Sequence, residues 1–133
     1  MALLLLLLAS FTSASSTSTP PLGEGVISSP NFPGKYPNHF THTDTIEVDD
    51  GQVIRLEFQA FDVEAAWNGR CRYDTLTITE TKPNGKKLRT ILCGDTLPPV
   101  IMSTTNKVNI TFDTDGSGTK TGWSVKWTAM TAP

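Results

Sequence analysis

Cysteine and histidine are scarce in this chain, with two of each among its 133 residues. So few sulfur and imidazole donors leave a zinc site short of ligands, and they are not spaced as one. No H-E-x-x-H segment occurs, and no serine sits in a nucleophile elbow, so the common hydrolytic signatures are missing as well. Gly116-Ser117-Gly118 offers a serine with no evident base to activate it. Positive charge is not in excess: 11 Lys and Arg face 13 Asp and Glu, a formal net charge of −2. General affinity for nucleic acid calls for a strongly basic face, which this balance does not supply. Long apolar runs are confined to the N-terminus, and no later segment is apolar enough to cross a membrane.

That N-terminal run is informative. Met1–Leu8 is rich in leucine and continues through Ala9, Ser10 and Phe11 into small residues up to Ser16. It falls well short of the ~20 apolar residues that span a bilayer, and its Ala- and Ser-rich end reads as a secretory signal peptide. Residues 1–16 are assigned to it, with cleavage expected near Ala14 to Ser16. The absence of Lys and Arg ahead of the leucines departs from the usual pattern, and the competing reading is an uncleaved anchor. Residues 17–22 are Thr-, Ser- and Pro-rich and are read as a flexible leader. The remainder is of a size to build a single core. In an oxidising compartment an isolated pair of cysteines is most simply one disulfide, here Cys71–Cys93. Free thiols or metal ligation by the pair are the alternatives.

From Glu24 onward the periodicity is that of strands. Ile54, Leu56, Phe58 and Ala60 alternate with Arg55, Glu57 and Gln59, as expected of a half-buried strand. Leu76 and Ile78 repeat the pattern among threonines, as do Val108, Ile110 and Phe112, and finally Trp123, Val125 and Trp127. Pro83-Asn84-Gly85 separates two such runs and predicts a hairpin between Thr77–Glu80 and Leu88–Leu92. Pro30, Pro33 and Pro37 mark an irregular opening segment, and Pro98-Pro99 breaks the chain after the second cysteine. No window sustains a helical period. Short strands, regular turns and one polar face per strand predict an all-β fold, a two-sheet antiparallel β-sandwich.

Three acids stand out against this scaffold. Glu64 and Asp74 flank Cys71, and Asp115 lies after the Val108–Phe112 strand. Calcium takes several oxygen ligands, with carboxylates supplemented by carbonyls and water. The backbone of Gly116 and Ser117 is placed to add carbonyls, since glycine lets the chain approach closely. Spacing admits two readings: calcium ligands, or solvated loop acids. Asp113 to Gly118 also matches the first half of an EF-hand loop, but Ser124 stands where a bidentate Glu is needed, and the flanks are strand-like. The run is therefore read as a decoy rather than as an EF-hand.

The chain resembles the CUB domain family from Gly23 to Ala129, with residues 130–133 as a tail. The resemblance rests on Gly25 to Pro33, Tyr36-Pro37-Asn38, Phe61-Asp62-Val63-Glu64, Cys71-Arg72-Tyr73-Asp74, Leu92-Cys93-Gly94, Pro98-Pro99, Thr114 to Ser117 and Gly122-Trp123. It implies a jelly-roll-like β-sandwich of secreted and cell-surface proteins, a binding module with no catalysis of its own. It implies calcium held by Glu64, Asp74 and Asp115, with Tyr73 supporting the site and standing as a candidate partner contact. It further implies an extracellular protein or glycan partner, which in ligand-binding members often presents a basic side chain, usually lysine, at the calcium site. Two alternatives follow from the same resemblance: the recognition and assembly arm of a multidomain extracellular serine protease, and a calcium-free structural domain.

Two departures refine the match. Many CUB domains have four cysteines, and the first pair is missing here. Thr41-His42-Thr43 occupies the region where one would fall, and Asp44 replaces a tryptophan common just beyond it. This one-disulfide form resembles the first CUB domain of the initiating serine proteases of complement. The other departure is Ala65–Arg70, longer than usual for the family, where Trp67 is a candidate partner contact and Arg70 reads as a loop residue. His39 and His42 read as loop residues. Asn109-Ile110-Thr111 is an N-glycosylation sequon whose asparagine should point outward from its strand.

Overall fold

The structure, a computed structural model, describes residues 23–133. The signal peptide and leader expected over residues 1–22 lie outside the described residues. Eight strands are present: β1 (Glu24–Ser28), β2 (Thr41–Glu47), β3 (Gln52–Asp62), β4 (Thr75–Thr81), β5 (Lys87–Leu92), β6 (Ile101–Met102), β7 (Lys107–Asp113) and β8 (Gly122–Thr131). They form two antiparallel four-stranded sheets, ordered β1-β8-β3-β6 and β2-β7-β4-β5, with no helix among the described residues. This is the expected β-sandwich.

The alternation places the core between the sheets. Leu56 and Phe58 of β3 and Trp123 and Val125 of β8 face inward from one sheet. Leu76 and Ile78 of β4 and Val108, Ile110 and Phe112 of β7 face them from the other, all almost inaccessible to solvent. Each such side chain contributes about 1.5–3 kcal/mol by leaving water. The Pro83-Asn84-Gly85 turn joins β4 to β5 with Thr81 opposite Lys87, the expected hairpin.

In one strand the alternation changes phase. Between Phe58 and Ala60 the pairing of β3 with β8 shifts register, so that Gln59 is an extra residue. A bulge of this kind reverses which side chains face the core. Ala60, expected inward, is only half-buried, and Phe61 and Val63 are buried in its place. The bulge therefore sets the orientation with which the chain leaves β3 toward Glu64.

Three strands carry little sequence signal. Strand β2 lies at a sheet edge, and of its seven residues only Ile46 is buried. His42, expected in a loop, lies in β2 with its ring 3.2 Å from Asp44 Oδ1. Edge strands need apolar residues on one narrow side only, so periodicity does not mark them. The same holds for β1 and for the short β6.

The ends of β2, β4 and β7 align at Thr41, Thr75 and Asp113, and β3 and β8 meet nearby at Asp62 and Gly122. The connections β1–β2, β3–β4 and β7–β8 consequently share one end of the sandwich. The acids singled out in the sequence lie in the last two.

Candidate metal centre

Glu64 follows the end of β3, Asp74 immediately precedes β4, and Asp115 lies just beyond β7. One carboxylate oxygen from each lies within 4.8 Å of the others. Residues far apart in the chain thus converge because three strand ends do. Asp113, the first position of the EF-hand-like run, ends β7 and stays outside this group.

The site is organised by a residue that spacing did not mark. Tyr36 is 1% exposed and packs edge-on against Phe112, with ring centroids 4.9 Å apart. Its backbone N–H donates to the Lys120 carbonyl at 3.1 Å, tying the β1–β2 connection to the β7–β8 loop. Its hydroxyl donates to Asp74 Oδ2 at 2.6 Å and accepts the Glu64 backbone N–H at 3.2 Å. Asp74 Oδ1 accepts the Asp115 backbone N–H at 2.8 Å. One phenol and one amide therefore hold all three acidic segments in register. The Tyr36 phenol is pushed well above the usual range, by burial first and then by its hydrogen bond to Asp74, so it remains the donor.

Each acid has its own support. Asp115 Oδ1 accepts the Ser117 N–H at 3.2 Å, and the Asp115 carbonyl accepts the His39 N–H at 2.8 Å. His39 is in the expected loop, at a φ of 53°. Gly118 has a φ of +82°, and a β-carbon there would collide with the Glu64 carboxylate. Only glycine leaves room for that carboxylate, a cradle the sequence reading missed. The signal available was a second glycine beyond Asp115-Gly116-Ser117.

The electrostatics are unfavourable without a cation. Burial, then the Asp115 and Asp74 charges, push the Glu64 carboxyl above the usual range. Asp74 is 1% exposed and is likewise raised, chiefly by burial, against the lowering effect of its hydrogen bonds. Glu64 Oε1 is buried and has no hydrogen-bond partner among the described residues. A buried, unpartnered carboxylate oxygen beside two further carboxylates costs free energy unless a positive charge meets it. The donors are all hard oxygens, the set that suits calcium rather than a softer metal.

The loop that delivers Glu64 and Asp74 is pinned. Val63 and Gly94 exchange backbone hydrogen bonds at 2.9 and 3.0 Å, and Cys71 is joined to Cys93 by a disulfide closing a sequence separation of 22. The cysteine pairing is the expected one. Tyr73, expected to support the site, is 40% exposed, and the supporting hydroxyl is that of Tyr36. Trp67 lies on the surface of the same loop, and Asn109 is on β7 opposite Thr45, whose hydroxyl donates to its side-chain oxygen at 2.7 Å.

The family model described as CUB domain matches residues 21–127. The chain belongs to the CUB domain family. It is 36% identical over 110 residues to the zinc metalloproteinase nas-39 of Caenorhabditis elegans, covering 79% of this chain and 12% of that protein. It is 35% identical over 106 residues to human mannan-binding lectin serine protease 1, covering 79% of this chain and 15% of that protein. The chain thus spans less than a sixth of either relative. A solved structure of the MASP-1 CUB2 domain bound to Ca2+ superposes with a TM-score of 0.70 at 29% identity, over 79% of this chain and 91% of that one. With its single disulfide, this CUB domain is of the form that lacks the first cysteine pair.

Proposed function

We propose that this CUB domain is a secreted, calcium-supported binding module for an extracellular protein or glycan, without catalysis of its own. The observation that carries the reading is the convergence of Glu64, Asp74 and Asp115 around a buried Glu64 oxygen that has no hydrogen-bond partner among the described residues. Glu64, Asp74 and Asp115 would hold the ion, and the carbonyls of Gly116 and Ser117 are candidates to complete its shell. The bound ion supplies positive charge where three carboxylates meet. Tyr36 and the Asp115 amide keep the carboxylates aimed at one point. An exposed carboxylate edge then suits a lysine or other basic side chain of the partner, because the acids bring more negative charge than one divalent ion neutralises.

The Ca2+-bound MASP-1 CUB2 structure supports the metal assignment by likeness. A second reading, the recognition and assembly arm of a larger extracellular protease, is supported by the similarity to segments of nas-39 and of mannan-binding lectin serine protease 1. In that case the domain's own work is still binding.

Calorimetric titration with calcium, paired with thermal melting in calcium and in chelator, tests the proposal. Heat of binding and a raised melting temperature are expected, and Asp115→Ala should remove both. Absence of both signals in the wild-type chain would leave the calcium-free structural domain as the correct reading.

A further inference from the structure

The loop between Glu64 and Asp74 contains a structure that metal binding does not use. Trp67 and Arg70 form a two-way backbone bridge, Trp67 N–H donating to Arg70 O at 2.9 Å and Arg70 N–H to Trp67 O at 3.1 Å. Asn68 and Gly69, between them, have φ values of 53° and 76°. Asn-Gly is the pair that most readily takes left-handed conformations at both positions of such a turn. The long Ala65–Arg70 segment is therefore a small fixed hairpin and not a loose excursion. Val63–Gly94 pairing holds one side of its base, and the Cys71–Cys93 disulfide holds the other.

What the hairpin displays is selective. Trp67 is 57% exposed and Tyr73 40% exposed. The Arg72 guanidinium lies 5.6 Å from the Trp67 ring centroid, close enough to steady the indole by cation–π attraction. From Ala65 to Tyr73 there are two arginines and no Asp, Glu or Lys. Neither arginine forms a salt bridge among the described residues, where the pairs are His42–Asp44 and Arg55–Glu57. Tryptophan, tyrosine and arginine are the residue types that dominate protein–protein binding energy, while Lys, Glu and Asp are depleted from interface centres. A tryptophan already fixed on a rigid turn also loses little freedom on docking. Two arginines without carboxylate partners among the described residues fit a surface that brings carboxylates.

We propose that the Trp67–Arg70 hairpin anchors a protein partner: Trp67 enters an apolar recess on that partner, and acidic side chains around the recess meet Arg70 and Arg72. The proposal rests on the reading that this end of the sandwich is the binding face, and it names the partner's chemistry there.

A phage-displayed random peptide library selected on the calcium-loaded chain tests it. Recovered peptides should be enriched in Asp and Glu beside apolar residues. They should bind Trp67→Ala, and separately the Arg70→Ala/Arg72→Ala double variant, about tenfold or more weakly. Thr45→Ala, on exposed β2, should bind them as wild type does. Recovery of no peptide, of peptides without acidic enrichment, or of peptides that bind Trp67→Ala unchanged overturns the proposal. Retention on heparin that is lost in Trp67→Ala, with no peptide recovered, overturns it in favour of a glycan. Binding that needs Trp67 but survives chelator upholds the hairpin as anchor and refutes calcium support. Calcium-dependent binding indifferent to Trp67→Ala does the reverse.

Discussion

Replacing Tyr36 with phenylalanine removes one oxygen atom and leaves the ring, so it isolates the hydroxyl that joins two acidic segments. The ring contacts with Phe112 survive the change, because the packed edge is retained. What is lost is the bond to Asp74 Oδ2 at 2.6 Å and the acceptor for the Glu64 N–H at 3.2 Å. A hydrogen bond to a charged group contributes ~1.5–3 kcal/mol, and a part-buried N–H left without an acceptor adds a share of its desolvation cost, for a total of about 3 kcal/mol. For a domain of this size that corresponds to a fall of roughly 10–15 °C in melting temperature in chelator. Calcium binding should suffer separately, since losing the partner that orients a metal-ligating carboxylate typically weakens metal affinity ~10–100-fold. Each tenfold loss removes about 1.4 kcal/mol from the stabilisation given by saturating calcium. Differential scanning calorimetry of both proteins, in chelator and across a calcium series, reads both effects. A variant that melts within about 2 °C of wild type in chelator and gains as much from calcium would refute the hydroxyl's organising role.

Other consequences follow from the same geometry. Glu64 and Asp74 are raised above the usual carboxylate range in the fold, so their contribution is fully present at low pH and is lost as pH rises through the raised values. In chelator this site should therefore favour the folded state more near pH 5 than near pH 7. Saturating calcium should reverse the slope, because protons then compete with the ion. Melting scans at the two pH values check both signs, and an identical slope with and without calcium would refute the assignment. Gly118→Ala should weaken calcium about tenfold, because its β-carbon displaces the Glu64 carboxylate. Gly51→Ala has a similar positive φ with nothing near its β-carbon, so it should show the backbone strain alone, and equal calcium affinity in the two variants would sink the cradle argument. Replacing Cys71 and Cys93 together by serine should lower stability by about 3 kcal/mol, the loop-entropy value for a closed segment of this length, read by urea unfolding. No change would mean that the remaining contacts already order the loop.

The sandwich was legible because four central strands alternate, β3 as far as its bulge, and each alternation buries apolar side chains against the opposite sheet. The phase change at Gln59 was not, since Ala60 is small enough to suit either face and Phe61 reads as the next apolar residue in an unbroken run. The edge strands β1 and β2 escaped for a different reason: their pairing is carried by backbone groups, which every residue has. Of the site, the acids were visible as charges near cysteines, but spacing alone left solvated acids as an equal reading. Tyr36 could not be connected to them, because its hydroxyl meets Asp74 in a position fixed by contacts such as the backbone bond to Lys120 and the packed edge on Phe112, which the tertiary fold creates. Tyr73, adjacent in sequence to Asp74, was the more obvious tyrosine. Both lie in the bend just ahead of β4, which buries Asp74 and leaves Tyr73 exposed.

The site and the hairpin share one segment of chain, and this connects metal binding to recognition. Glu64 and Asp74 lie at the two ends of the segment that carries Trp67, and their carboxylates repel when no cation lies between them. The Val63–Gly94 bridge and the disulfide resist that repulsion at the base, but Glu64 Oε1 has no hydrogen-bond partner among the described residues. The Tyr36 hydroxyl ties Asp74 to the Glu64 backbone, and a cation would add the link to the Glu64 carboxylate itself. The Asn68-Gly69 turn has its own reciprocal hydrogen bonds and does not depend on that link for its shape. Calcium should accordingly set where the hairpin stands relative to the sandwich, while the turn itself keeps Trp67 presented. The affinity of a partner anchored on Trp67 should then fall in chelator, and fall most steeply for one that also spans the acids.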